Sequence, residues 1–262
     1  MIRAMDKKQT FRLFMVRATN TVEEARQHHN TTPTASAALG RTLIAGLMMG
    51  YMMKNEKDRL TININGGGPI GTILVVSDNS GHVKGYVGNP NVDLDLKENG
   101  KLNVGGAVGT QGKLTVMMDI GLKEPYVGST DLVTGEIGED IAFYYYLSEQ
   151  QNTAVALGVL VDIDYSIKAA GGFMVQTLPF IEEEDLVKLE NTLNNLKSIS
   201  DYFNNEKDVE VIAKEIFSDF DIEVFDRIPV SFNCDCSEER MEQALISLGK
   251  YELKKIIEED GK

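Results

Sequence analysis

Cysteine is scarce: the chain of 262 residues holds two, Cys234 and Cys236. A disulfide-knotted secreted scaffold needs several spaced thiols, so that class is excluded. Basic side chains are in deficit too, 26 Lys and Arg against 40 Asp and Glu, for a formal net charge of -14. Neutralising phosphates requires a basic surface that releases counterions, so this charge argues against nucleic-acid partners and, by the same sign, against acidic membranes. Residues 1–20 mix Arg3, Asp6, Lys7, Lys8, Arg12 and Arg17 with apolar residues. They contain no apolar core of about 7 to 15 residues ahead of a cleavage signal, which points to the cytoplasm. Histidine is rare, with three residues. His28 and His29 are adjacent and cannot both face one point on a regular helix, so they read as ordinary loop or helix-end residues. His82 follows a glycine turn and reads as an exposed strand residue, and no Ser-His-Asp order can be built from the three.

What is present is globular material, 42% hydrophobic and 25% charged, long enough for one large domain or two moderate ones and for a real core. The acidity is unevenly spread. Residues 1–181 carry 18 acidic and 16 basic groups, whereas residues 182–262 carry 22 and 10. The change falls near Pro179, and the more charged second part is the less able to offset its conformational entropy.

The first part reads mostly as strands. Runs at 60–65, 70–77, 82–87, 114–120 and 154–163 are rich in β-formers and separated by turn clusters such as Gly66-Gly67-Gly68-Pro69 and Asp78-Asn79-Ser80-Gly81. Two stretches echo each other: Gly71-Thr72 leads to Asp78 and Tyr86-Val87-Gly88, and Gly109-Thr110 leads to Asp119 and Tyr126-Val127-Gly128. The drifting offsets suit a repeated strand unit with different turns, not a solenoid. One helix interrupts them. Thr32 can cap it, Pro33 suits its first position, and residues 35–53 follow with Arg41 as their one charge. Gly46 and Gly50 form a GxxxG pair, yet Arg41 and the lack of a second such run favour a buried helix wrapped by sheet over a membrane span. A second helix is expected over 136–150, with Glu136, Glu139 and Asp140 near its positive end. Beyond Pro179 the apolar period becomes helical. Leu186, Leu189, Leu193 and Leu196 form one stripe, and Val209, Ile212, Ala213, Ile216 and Phe217 another. A strand over 227–232 and a helix over 238–248, ended by Gly249 and followed by another over 251–257, complete the chain.

Several motifs reduce to structure. Gly66-Gly67-Gly68-Pro69-Ile70-Gly71 leads into a strand, so it lacks the helix N-terminus that a dinucleotide phosphate needs. Gly112-Lys113 is no phosphate loop, since Ala107 and Leu114 stand where glycine and Ser or Thr are required. Met48, Met49, Met52 and Met53 read as core filling. Cys234-Asp235-Cys236 is the one constellation with distinctive chemistry: two thiols one residue apart can bind a single soft metal ion, but a closed zinc site wants four ligands. The ending Glu258-Glu259-Asp260-Gly261-Lys262 resembles a helix stop and turn with nothing after it, as though a C-terminal piece were missing.

Taken together, several segments resemble the redox-regulated heat-shock chaperone family of 33 kDa, also called the 33 kDa chaperonin family. They are Thr34-Ala35-Ser36-Ala37-Ala38-Leu39-Gly40-Arg41-Thr42, Gly85-Tyr86-Val87-Gly88-Asn89-Pro90, Lys123-Glu124-Pro125-Tyr126 and Gly135-Glu136-Ile137-Gly138-Glu139-Asp140-Ile141-Ala142. In order there follow Ala154-Val155-Ala156-Leu157-Gly158-Val159, Ala169-Ala170-Gly171-Gly172-Phe173 and Cys234-Asp235-Cys236-Ser237-Glu238-Glu239-Arg240. The resemblance covers nearly the whole chain.

The resemblance implies an α+β protein. A β-rich chaperone core around a buried helix spans 1–179, an acidic helical linker 180–226, and a partial zinc-binding redox-switch domain 227–262. It implies an ATP-independent holdase for unfolding client proteins, not an enzyme, switched on by oxidation and zinc release and accompanied by homodimer formation. In the family a C-x-C and a later C-x-x-C hold one zinc. Cys234 and Cys236 match the first pair as metal ligands and as a redox-active disulfide, while the second pair has no counterpart in this sequence. Weakened zinc retention and a bias towards the open, client-binding form are therefore expected. Two other classes compete with this reading. One is an oxidant-sensing or zinc-binding enzyme with Cys234 as nucleophile, which lacks a nearby base and an oxyanion signal. The other is a zinc-binding interaction module without holdase activity.

Overall fold

The computed structural model describes residues 1–234 and 238–260, with side chains over 1–234, 242–243 and 245–258. The chain forms two units, Met1–Phe232 and Asn233–Lys262.

In the first unit, alternation of apolar and polar residues builds two sheets. Strands β1 (Ile2–Asp6) and β2 (Phe11–Arg17) precede helices α1 (Thr19–His29) and α2 (Pro33–Gly50). Strands β3 (Arg59–Asn65), β4 (Ile73–Ser77) and β5 (His82–Val87) follow, then the short α3 (Val104–Val108), β6 (Lys113–Asp119), β7 (Tyr126–Asp131) and α4 (Gly138–Leu147). After β8 (Thr153–Val161) and β9 (Ile167–Thr177) come helices α5 (Glu183–Asn194), α6 (Ile199–Phe203) and α7 (Val209–Ile216), and strands β10 (Ile222–Arg227) and β11 (Ser231–Phe232). One sheet runs β10-β1-β2-β9-β8 and the other β11-β5-β4-β3-β6-β7. Every pairing is antiparallel except β11 with β5. The two echoing stretches are the β4–β5 and β6–β7 hairpins, which flank β3 on either side.

Helix α2 lies between the sheets, buried from Thr34 to Gly50 except at Arg41. Its glycines allow that approach. A Cβ on Gly46 would come within 2.7 Å of Val75 Cγ1, and one on Gly40 within 2.7 Å of Val22 Cγ1. Thr32 occupies the N-cap position without capping the helix; its hydroxyl donates outward to the carbonyls of Pro90 and Val92. Arg41 is reconciled with its setting by Glu136 Oε2, 2.7 Å from Nη1. Glu136 thus lies before α4, which starts at Gly138, and Asp140 supplies the helix start by accepting from the amides of Val133, Thr134 and Ile137. No helix among the described residues is long and apolar enough to cross a membrane.

The architecture is the expected α+β one, with differences at the strands. β1 and β2 arise from a segment dense in charge, because Arg3 and Arg12 point away from buried Ile2, Ala4, Leu13 and Met15, while Arg17, on the same face as Leu13 and Met15, reaches the Phe203 carbonyl at the end of that face. β9 holds Gly171 and Gly172, where a Cβ would meet the Phe203 ring at 2.7 Å and the Ala156 carbonyl at 2.5 Å. The expected strand at 227–232 shrinks to β11, and β10 precedes it. The strand expected to reach 163 ends at Val161, because Asp162 and Ser166 close a turn through Tyr165 at φ 71.

The second unit is described over α8 (Glu238–Asp260), whose Gly249, at φ 77 and ψ 160, divides it into the two expected helices.

Candidate functional site

The five-stranded sheet presents Phe11, Leu13, Met15, Ala169, Phe173 and Val175 to the three acidic helices. Leu189 of α5, Phe203 of α6 and Val209, Ile212, Ala213 and Ile216 of α7 cover that face, with Phe217 just after. Phe217 is the hub: its ring centroid lies 5.4 Å from that of Phe173 and 5.6 Å from that of Phe11. Phe220 meets Phe11 edge-on at 5.0 Å. Each such side chain contributes about 1.5–3 kcal/mol through burial, so apolar contact is the main attachment. In the structure the helices are docked.

Their polar ties are mostly exposed. Lys7 meets Asp221 at 2.6 Å and Lys8 meets Asp185 at 3.0 Å, and ion pairs whose cation is open to solvent contribute little. Arg17 is better placed, donating to the carbonyls of Phe203 and Lys207, each at 2.7 Å. Arg227 grips Asp208 through two hydrogen bonds of 2.7 and 2.9 Å and holds its carboxyl below the ordinary value. At the far edge the Tyr51 hydroxyl donates to the Asp226 carboxylate, and Arg3 lies over the Tyr51 ring at 5.5 Å. Burial first, then Asp226, pushes the Tyr51 hydroxyl well above its usual pKa.

The segment after β10 leads towards the thiols. Ser231 N donates to Gly81 O at 3.0 Å, and β11 pairs Ser231 with His82 and Phe232 with Val83. Gly81 is required here, because a Cβ would strike the Pro229 carbonyl at 2.2 Å. The rings of His28 and His29 stand 5.9 and 6.1 Å from that of Phe232. Burial lowers the His29 pKa, opposed by a hydrogen bond to the Gly85 backbone. His82 is exposed, as expected, and contacts Asp78 at 3.2 Å. All three histidines therefore gather around one two-residue strand. Sequence reasoning placed them separately; the signal that connects them is long-range pairing, which spacing does not carry.

Cys234 is half-buried and in no disulfide among the described residues. Cys236, its expected partner as metal ligand and redox thiol, lies outside them. Among the described residues no three His, Cys, Asp or Glu side chains converge as a metal site, so these residues do not by themselves fit the four-ligand zinc expected from the resemblance.

Comparison with known proteins agrees with this architecture. The family model described as "Hsp33 protein" matches residues 1–262. The 33 kDa chaperonin of Alkaliphilus metalliredigens is 51% identical over 259 residues, covering 99% of this chain and 89% of that protein. That of Clostridioides difficile is 49% identical over 261 residues, covering 100% and 89%. The crystal structure of the 33 kDa chaperonin of Thermotoga maritima superposes with a TM-score of 0.85 at 38% identity, covering 98% of this chain and 89% of that one. The chain therefore belongs to the Hsp33 protein family.

Proposed function

We propose that this chain is an ATP-independent holdase of the cytoplasm, regulated by thiol oxidation, which binds unfolding proteins on an apolar face that its own acidic helices cover at rest. The observation that carries the reading is the seat of Phe217 on Phe11 and Phe173. It joins residues 180–226, the proposed linker, to the proposed core of residues 1–179. Relatives named chaperonins support the client class.

The switch acts on the remainder, residues 227–262. Peroxide oxidises the thiols of Cys234 and Cys236 to one disulfide: an S–S bond forms, two protons and two electrons leave sulfur, and peroxide is reduced to two waters. A changed second unit no longer favours the docked path through β11. The weakly tied helices then leave the sheet, uncovering Phe11, Leu13, Met15, Phe173 and Val175, and two opened chains associate as a homodimer through exposed apolar surface. Zinc is proposed on the same two sulfurs as half of a four-ligand set.

Light scattering of heat-unfolding luciferase, with the full chain and no ATP, tests the reading. Suppression that rises after peroxide supports it. Unchanged aggregation in both states contradicts it and leaves an interaction module; turnover of a small substrate through Cys234 would point to an enzyme.

A further inference from the structure

β8 is the outer strand of the five-stranded sheet. Its nine residues, Thr153–Val161, carry no charge and no proline, whereas β10 at the opposite edge contains Glu223, Asp226 and Arg227. Sheet edges normally bear charges, prolines or bulges that prevent pairing with other chains. This edge is guarded only where its register slips, between Leu160 and Val161.

The hydrogen-bond phase shows what the edge offers. Thr177 N donates to Asn152 O, and the register continues as Ala154 with Val175, Ala156 with Phe173 and Gly158 with Gly171. In an antiparallel pair alternate residues turn both backbone groups to the partner, so those even-numbered residues face β9. On the other side of β9, Leu178 N donates to Thr10 O and Ala18 N to Ala170 O, which agrees with the same alternation. Val155, Leu157 and Val159 therefore direct their N–H and C=O groups away from the sheet. Among the described residues nothing hydrogen-bonds to them.

A groove of about 900 Å³ runs beside them. It is lined by every residue from Val155 to Asp162. Contact with consecutive residues of both faces means that the groove follows the strand edge. In the docked state its walls are the segment around Leu96 and Lys97 and the segment 197–201; the second includes the start of α6 and leaves with the helices, so the feature that persists after opening is the strand edge itself. Four basic and four acidic side chains line it, and Arg41 and Lys97 are both tied to Glu136. The charge is balanced, so the groove does not select a charged ligand. A row of free amides and carbonyls at strand spacing selects a polypeptide backbone instead.

We propose that the free edge of β8 binds an extended segment of an unfolded client by strand addition. This rests on the holdase reading and specifies where that activity takes hold of the main chain. Main-chain pairing explains tolerance of client sequence, since every residue except proline offers the same donor and acceptor.

The test uses the full chain oxidised with peroxide and fluorescein-labelled carboxymethylated lactalbumin, a permanently unfolded protein, with binding read by anisotropy. Val155→Pro removes one outward N–H and fills its path while leaving the β9 pairing intact, because prolines are tolerated on the solvent side of an edge strand. Val155→Thr keeps the N–H. The expected result is at least a tenfold weaker Kd for V155P and less than a twofold change for V155T. Because V155P could unfold, hydrogen exchange on the unmodified chain supplies a second readout: client should slow exchange at Val155, Leu157 and Val159. Normal V155P binding, or unprotected β8 amides in the complex, overturns the edge site while the holdase reading stands. Protection that appears with chain concentration alone overturns it in favour of pairing between two copies. No client binding by the unmodified chain overturns both.

Discussion

The rings of Phe217 and Phe173 meet at an interplanar angle of 77°, 5.4 Å apart, and this edge-to-face contact fixes the acidic helices on the sheet. Truncation of a buried phenylalanine costs about 3–5 kcal/mol. Phe217→Ala should therefore undock the helices before it unfolds the sheets, so that the reduced protein suppresses luciferase aggregation without peroxide. Unaltered behaviour of the reduced variant would show that Phe217 does not hold the cover in place.

Acid should weaken the first unit through Glu23. Its carboxyl is held at about 2 chiefly by Arg26, with the Ile167 amide and Gln27 also donating. A carboxyl whose folded pKa is depressed contributes stability above its unfolded pKa, here near 4.5, and that contribution is lost as pH falls towards about 2. Thermal melts between those limits should show a smaller pH dependence in Glu23→Gln than in the parent chain. Parallel curves would remove Glu23 from the account.

The close packing of α2 makes Gly46 sensitive. Gly46→Ala places a Cβ 2.7 Å from Val75 Cγ1, and overpacking of this kind costs about 1–3 kcal/mol. Denaturant titration should show a lower midpoint with little change in slope; an unchanged midpoint would mean that the sheet yields freely.

Oxidation should depend on the thiol pair. Cys234→Ser should abolish the rise in holdase activity after peroxide. A full response in that variant would move the sensor elsewhere.

Metal content follows from the ligand count. Purified under reducing conditions, this chain should retain less than one zinc per molecule by elemental analysis, since two sulfurs fill half of a tetrahedral shell. Stoichiometric zinc held by protein ligands alone would contradict that.

Local sequence pattern reveals much of this fold, and fails where distance along the chain matters. Alternating Leu60, Ile62 and Ile64 announce β3, and Gly249 divides α8, because each signal lies within a few residues. β9 is illegible for the opposite reason: no local pattern announces it, and Gly171 and Gly172 are small because the Phe203 ring and the Ala156 carbonyl of the neighbouring strand leave no room for a Cβ. Of the candidate site, the helical stripe ending at Phe217 is visible from periodicity. Its contact with Phe11, and the assembly of His28, His29 and His82 around β11, depend on pairings across more than a hundred residues.

The central claim is that oxidation lifts the acidic helices from the five-stranded sheet. Hydrogen exchange over residues 183–216, measured on the full chain before and after peroxide, tests it most directly. Protection should fall throughout that segment while the amides of β2 and β9 stay protected, in step with the gain in holdase activity. Activity that rises while residues 183–216 remain as protected as before would contradict the claim.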